Sequence, residues 1–123
     1  MPASKTPIPT RAAAREIWAA SGLHKDDLTP ADLRDLRHHI NKAMKDSGAM
    51  RDTLRCRQRF SRKTNHRGEV CIDLRCKSVY FDDRQAITFE TDGFVGFAGW
   101  ADDTHVAPIL TGFTQWLESR AAA

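Results

Sequence analysis

Cysteine is scarce in this chain, and no two cysteines are close. Cys56, Cys71 and Cys76 are the only three in 123 residues, an odd count with no C-x-x-C spacing. That excludes a disulfide scaffold and predicts reduced thiols in a cytosolic setting. A zinc site is also unsupported. No H-x-x-x-H spacing occurs, and His38 and His39 are adjacent, so one helix cannot aim both at one ion. Cys71 and Cys76 are an odd number of positions apart, which puts them on opposite faces of a strand. Cys56 and Cys76 read inward, as small buried hydrophobes. No metal or cofactor is implied.

Long apolar runs are missing too. None approaches the roughly 18–20 residues that span a bilayer, so no membrane association is expected. The opening "MPASKTPIPT" has no apolar core, so no secretory signal is expected. Phosphate-binding loops are absent. Gly93, Gly96 and Gly99 are spaced three apart, which is not G-x-G-x-x-G, and no Lys-Ser/Thr follows as in a Walker loop. No internal repeat is present.

What is there is an ordinary globular composition, 41% hydrophobic and 28% charged. The length suits one domain with a real core. The expected organisation is a loose tail over 1–9, one domain over 10–119 and a short tail over 120–123.

The net charge of +3 conceals a segregation. Residues 51–67 hold seven bases (Arg51, Arg55, Arg57, Arg59, Arg62, Lys63, Arg67) against one acid, Asp52. Residues 82–123 hold seven acids against two bases. Segregated charge speaks to partners and steering rather than to fold.

The periodicity changes once along the chain. A first helix starts at a Thr10 cap, is anchored by Ile17 and Trp18, and stops at Gly22. A second starts with Thr29 as cap, Pro30 at the first position and Asp32 closing a capping box. Its apolar stripe is Leu33, Leu36, Ile40, Ala43 and Met44, and it ends at Ser47-Gly48. From residue 50 the period becomes two. Leu54, Cys56 and Phe60 alternate with Arg55, Arg57 and Arg59 in a first strand, and "SRKTNHRG" follows as a hairpin loop. Val70, Ile72, Leu74 and Cys76 alternate with Cys71, Asp73, Arg75 and Lys77 in a second strand. Ile87 and Phe89 mark a third, Thr91-Asp92-Gly93 a turn, and Phe94 to Trp100 a fourth. A last helix runs from about Thr104 to Ser119, with Pro108 in its first turn and a stripe of Val106, Ile109, Leu110, Phe113, Trp116 and Leu117. The expected class is α+β in the order ααββββα, an antiparallel four-stranded meander with helices packed on one face.

The stretch "GFVGFAGWADD", Gly93 to Asp103, places an aromatic after each glycine. As a strand it puts Phe94 and Trp100 on one face and Phe97 on the other. Its small residues fit a strand against which a helix packs closely. The sharper alternative is an exposed Phe94 or Phe97 acting as a binding anchor.

Three clusters of charged residues offer chemistry. Asp103 beside His105 could orient a base for a hydrolase, but a carboxylate at a helix start has a structural reason to be there. No nucleophile elbow accompanies it, so a non-enzymatic protein is expected. The pairs Asp26-Asp27 and Asp82-Asp83 fall in turns, which favour aspartate. The strongest physical signal is the basic ribbon: Arg55, Arg57 and Arg59 on one strand face, Arg75 and Lys77 on the neighbouring strand, and Arg62, Lys63 and Arg67 in the hairpin. Asp73 tempers that face. Such a ribbon suits phosphates or carboxylates. The plain alternative is a solvated face whose like charges discourage aggregation. An RNA-recognition sheet would interleave exposed aromatics, and this face has none before Tyr80.

The segment "AITFETDGFVGFAGWADDTHVAPILTGFTQWL", Ala86 to Leu117, resembles small uncharacterised proteins of bacteriophages and prophages of proteobacteria. The resemblance covers about a quarter of the chain and transfers no functional residue. It implies a mobile-element protein in a bacterial cytoplasm. By analogy, such proteins bind and inhibit host machinery, nuclease-based immunity included, in the manner of anti-CRISPR proteins. The sequence therefore predicts a binding protein that occludes a host protein or nucleoprotein complex. The rival reading is a small basic DNA- or RNA-binding protein using the arginine ribbon.

Overall fold

In a computed structural model of the chain, the described residues are 10–47, 59–64, 67, 70–76, 84–90, 94–98 and 103–122. Side chains are described at all of these except 59–64, 70, 76, 84, 103–105 and 121–122. The architecture is α+β, as the change of periodicity predicts.

Helix α1 spans Arg11–Ser21. The Thr10 hydroxyl accepts from the Ala13 amide at 3.0 Å, which satisfies one of the donors a helix start leaves open. The stop is Gly22 at φ 72, a left-handed conformation that costs glycine little. A single 3-10 turn, Lys25–Asp27, follows. There the acid pair has local work. Asp27 accepts from the His24 amide at 2.8 Å, and Asp26 pairs with Lys25 at 2.7 Å.

Helix α2, Pro30–Asp46, opens on the expected capping box. Thr29 Oγ1 accepts from the Asp32 amide at 3.1 Å, and Asp32 Oδ2 accepts from the Thr29 amide at 2.9 Å. Leu36, Ile40, Ala43 and Met44 are buried, and Leu33 is partly so.

Four strands pair antiparallel in the spatial order β1-β2-β3-β4: β1 Arg59–Thr64, β2 Val70–Cys76, β3 Arg84–Phe89 and β4 Val95–Phe97. Two strand boundaries need correction. Among the described residues, pairing with β2 runs from Arg59 to Thr64, so half of the expected hairpin loop, Ser61 to Thr64, is strand and the connection is shorter. Leu54 and the rest of the expected strand before Arg59 lie outside the described residues. Polar "SRKT" looks like loop by composition, but register with Val70–Arg75 overrides that. The fourth strand is three residues rather than seven. The β2–β3 ladder shifts register at Leu74/Arg75, where Ala86 is the extra residue, a bulge.

Helix α3, Asp103–Ala122, runs three residues further than read. Pro108 is its sixth residue, not in its first turn. The helix tolerates this because only one bond is lost, to the Thr104 carbonyl. All six expected stripe residues are buried.

One core joins these elements. Phe113 of α3 packs edge-on against Phe97 at 5.0 Å, and Trp18 of α1 lies 5.0 Å from Phe89. Ile72, Leu74, Ile87, Phe89, Val95 and Phe97 supply the inward face of the sheet. Helices α2 and α3 run antiparallel in close contact. A Cβ added at Gly112 would lie 2.5 Å from Ile40 Cα, so glycine is what lets the two backbones meet. Near the far end, Arg120 of α3 donates to Asp32 of α2. No helix among the described residues is long and apolar enough to cross a membrane.

Candidate functional site

The candidate interface begins at β1, a terminal strand of the sheet. Terminal strands leave one row of backbone groups unpaired with any strand. β1 carries Arg59, Arg62 and Lys63 within six residues. Register sets Arg59 opposite Arg75, Ser61 opposite Asp73 and Lys63 opposite Cys71, while Arg62 falls opposite the core residue Ile72. Arg67 is exposed in the turn between β1 and β2. Of the other sequence-predicted site residues, Arg55, Arg57 and Lys77 lie outside the described residues. So do Arg51, Cys56, Tyr80, Gly93, Gly99, Trp100 and Asp102. Asp103 and His105 are placed only as backbone in the first turn of α3.

Arg75 is placed differently from a free cation on a polar face. Its Nη1 donates to Asp73 Oδ2 at 2.6 Å. Asp73 does not temper an exposed surface, because it is fully buried, at 0% exposure. Its other oxygen accepts from Thr88 Oγ1 at 2.9 Å, and Thr88 in turn accepts from Gln85 Nε2. A buried carboxylate persists only when its lone pairs are answered, and here an arginine and a threonine from two strands answer them, with Gln85 holding the threonine. Cys71, expected on the polar side, is also fully buried, with Sγ 3.7 Å from Glu90 Oε2. Alternation correctly puts Cys71, Asp73 and Arg75 on one face. It does not reveal that this face is itself covered.

The opposite edge of the sheet is closed by arginines that sequence reasoning did not single out. Arg15 Nε donates to the Val95 carbonyl at 3.0 Å, and Arg11 Nη2 donates to the Ala98 carbonyl at 3.0 Å. Arg11 Nε also reaches the Phe97 carbonyl at 3.4 Å. Outward carbonyls two residues apart on a strand are about 6.8 Å apart. Side chains four apart on a helix advance about 6 Å. The Arg-x-x-x-Arg spacing of α1 therefore matches the edge of β4, and that spacing was the available signal.

The glycine-aromatic stretch resolves accordingly. Phe97 is core, and Phe94 is 49% exposed, the one exposed large hydrophobic side chain among the described residues. The Arg15 guanidinium lies 4.8 Å from the Phe94 ring centroid, a cation–π contact. Gly96 does not admit a helix. A Cβ there would sit 3.5 Å from Phe94 and 3.9 Å from Gln85. The close approach of helices is at Gly112 instead.

Among the described residues no group of three or more His, Cys, Asp or Glu side chains could hold a metal ion. The Asp32 carboxyl is held below its ordinary value. The Thr29 amide lowers it most, the Thr29 hydroxyl and Arg120 lower it further, and burial opposes them. Its role is to lock α2 to α3.

No family model, curated protein or solved structure matches this chain.

Proposed function

We propose that this is a non-enzymatic binding protein that occludes an anionic surface on a host protein or nucleoprotein complex. The docking element is the basic segment 51–67, which enters the sheet as its terminal strand β1. One observation supports this above all. Seven bases stand against one acid in that segment, and its residues Arg59–Thr64 form a terminal strand of the sheet. The other edge, by contrast, is met by arginines from the chain's own α1. Arginine on a partner's carboxylates or phosphates gives bidentate, charge-assisted hydrogen bonds. Arg75 contributes to folding rather than to docking, since its guanidinium is committed to Asp73.

The resemblance of residues 86–117 to phage and prophage proteins supplies the context: inhibition of a nuclease-based host defence in a bacterial cytoplasm. Plating efficiency of a phage on an immune bacterial host tests it. Expression of the intact protein should raise plating by orders of magnitude, and Arg55/Arg57/Arg59→Ala should abolish the rise. Unchanged plating with the intact protein, across the nuclease-based systems tried, would remove the defence-inhibitor reading.

A further inference from the structure

We infer that the outward face of α2 is a second anion-binding surface, one that takes the phosphate backbone of duplex nucleic acid. It shares no residue with segment 51–67 and stands independently of the reading above. α2 buries Leu36, Ile40, Ala43 and Met44. The opposite side presents Arg34, His38, Lys42 and Lys45, with Arg37 and Asn41 along one margin and the exposed acids Asp35 and Asp46 along the other. Arg34, His38, Lys42 and Lys45 are exposed, and Arg37 and Asn41 are half-buried.

The acids of α2 do not neutralise this stripe. Asp32 is held in the capping box and by Arg120, and Asp46 bonds Lys42 at 3.1 Å. Asp35 is exposed in line with Lys42 and tempers that margin, but it lies about 100° around the helix from Arg34 and further from Arg37. Among the described residues no carboxylate pairs with Arg34, Arg37 or Lys45. Three unanswered cations thus line about 16 Å of one rigid helix.

Helix stability does not explain them. Lys45, in the last turn, is favoured by the macrodipole, but Arg34 and Arg37 lie beyond the first turn and gain nothing from it. Like charges three and four apart cost a few tenths of a kcal/mol each. The chemistry of the stripe also selects the partner. Protein–protein hot spots centre most often on buried aromatic anchors, and this stripe carries no aromatic residue. Interfaces with nucleic acid are polar and strongly basic, and a duplex offers a rigid rod of regularly spaced phosphates.

The test is fluorescence anisotropy of a labelled 20-base-pair mixed-sequence DNA duplex, titrated with the full chain between about 50 and 200 mM salt. Wild type is compared with Arg34→Gln/Arg37→Gln/Lys45→Gln and with Arg55/Arg57/Arg59→Ala, each checked for an unchanged circular-dichroism spectrum. The α2 variant should bind at least tenfold more weakly. Its slope of log affinity against log salt should shrink by about 2–3, since each phosphate contact contributes about 0.9. No binding by wild type at 50 mM salt, or an α2 variant within twofold of wild type with the same slope, would overturn the inference. That second result combined with loss in the Arg55/Arg57/Arg59 variant would leave nucleic-acid binding in segment 51–67 alone. Displacement by poly-glutamate as readily as by unlabelled duplex would also overturn it, in favour of an acidic protein surface.

Discussion

Arg75 donates to Asp73 across 2.6 Å, and the carboxylate it holds is wholly buried while 27% of its own side chain stays exposed. The pair marks Arg75 as a residue of the fold, apart from the docking proposed for segment 51–67. Arg75→Ala strands a buried charge, a change that typically costs about 3–5 kcal/mol. Urea denaturation should show a loss of that order. Any loss of binding in Arg75→Ala is therefore a folding effect, unlike that in Arg55/Arg57/Arg59→Ala.

Gly112 is the contact point of α2 and α3. In Gly112→Ala the new methyl would stand 2.5 Å from Ile40 Cα and 2.7 Å from Ile40 N. Backbone atoms cannot rotate away as a side chain can. Better helix propensity offsets about 1 kcal/mol, while overpacking typically costs about 1–3 kcal/mol and more where backbone is met. We expect net destabilisation by denaturant titration, and a more stable Gly112→Ala protein would contradict this packing.

Asp32 gives acid stability a specific source. Its carboxyl is lowered from 3.8, chiefly by the Thr29 amide. A carboxyl depressed in the folded state stabilises above its unfolded value, and the contribution disappears as pH falls through the lower folded value. Asp32→Asn should be less stable than wild type at neutral pH, and the difference should shrink as pH drops below 3.8. A difference independent of pH down to acid unfolding would contradict the assignment.

The arginines of α1 should protect the β4 edge. Arg11→Gln/Arg15→Gln withdraws the donors from the carbonyls of Val95, Phe97 and Ala98. Hydrogen bonds from charged donors are worth about 1.5–3 kcal/mol each when buried, and these are only partly buried, so a loss of about 2 kcal/mol is expected. Uncovered edges pair with other chains, so light scattering should detect self-association that the wild type lacks.

Local chemistry was the most legible part of the sequence. Thr10, Gly22, Thr29, Pro30 and Asp32 act through neighbours within a few residues, and each sits in its expected cap. The core stripes of α2 and α3 were equally readable, because helical periodicity names one buried face. Long-range relations were not. The extension of β1 through Thr64 depends on register with β2, which polar "SRKT" does not advertise. Asp73 reads as a surface acid by alternation, and only the fold shows that its face is closed and that Arg75 and Thr88 answer it. Arg11 and Arg15 look like ordinary helix-surface residues until β4 is placed beside them, 80 or more positions later. Of the candidate site itself, the charge was legible and its division between docking and structure was not.

The most direct test of the account is affinity capture from a nuclease-treated bacterial lysate, with wild type and Arg55/Arg57/Arg59→Ala as parallel baits. The account predicts a defined protein or nucleoprotein partner on the wild type that survives nuclease and is absent from the variant. Equal recovery on both baits, or recovery of nucleic acid alone that vanishes as salt is raised, would contradict it.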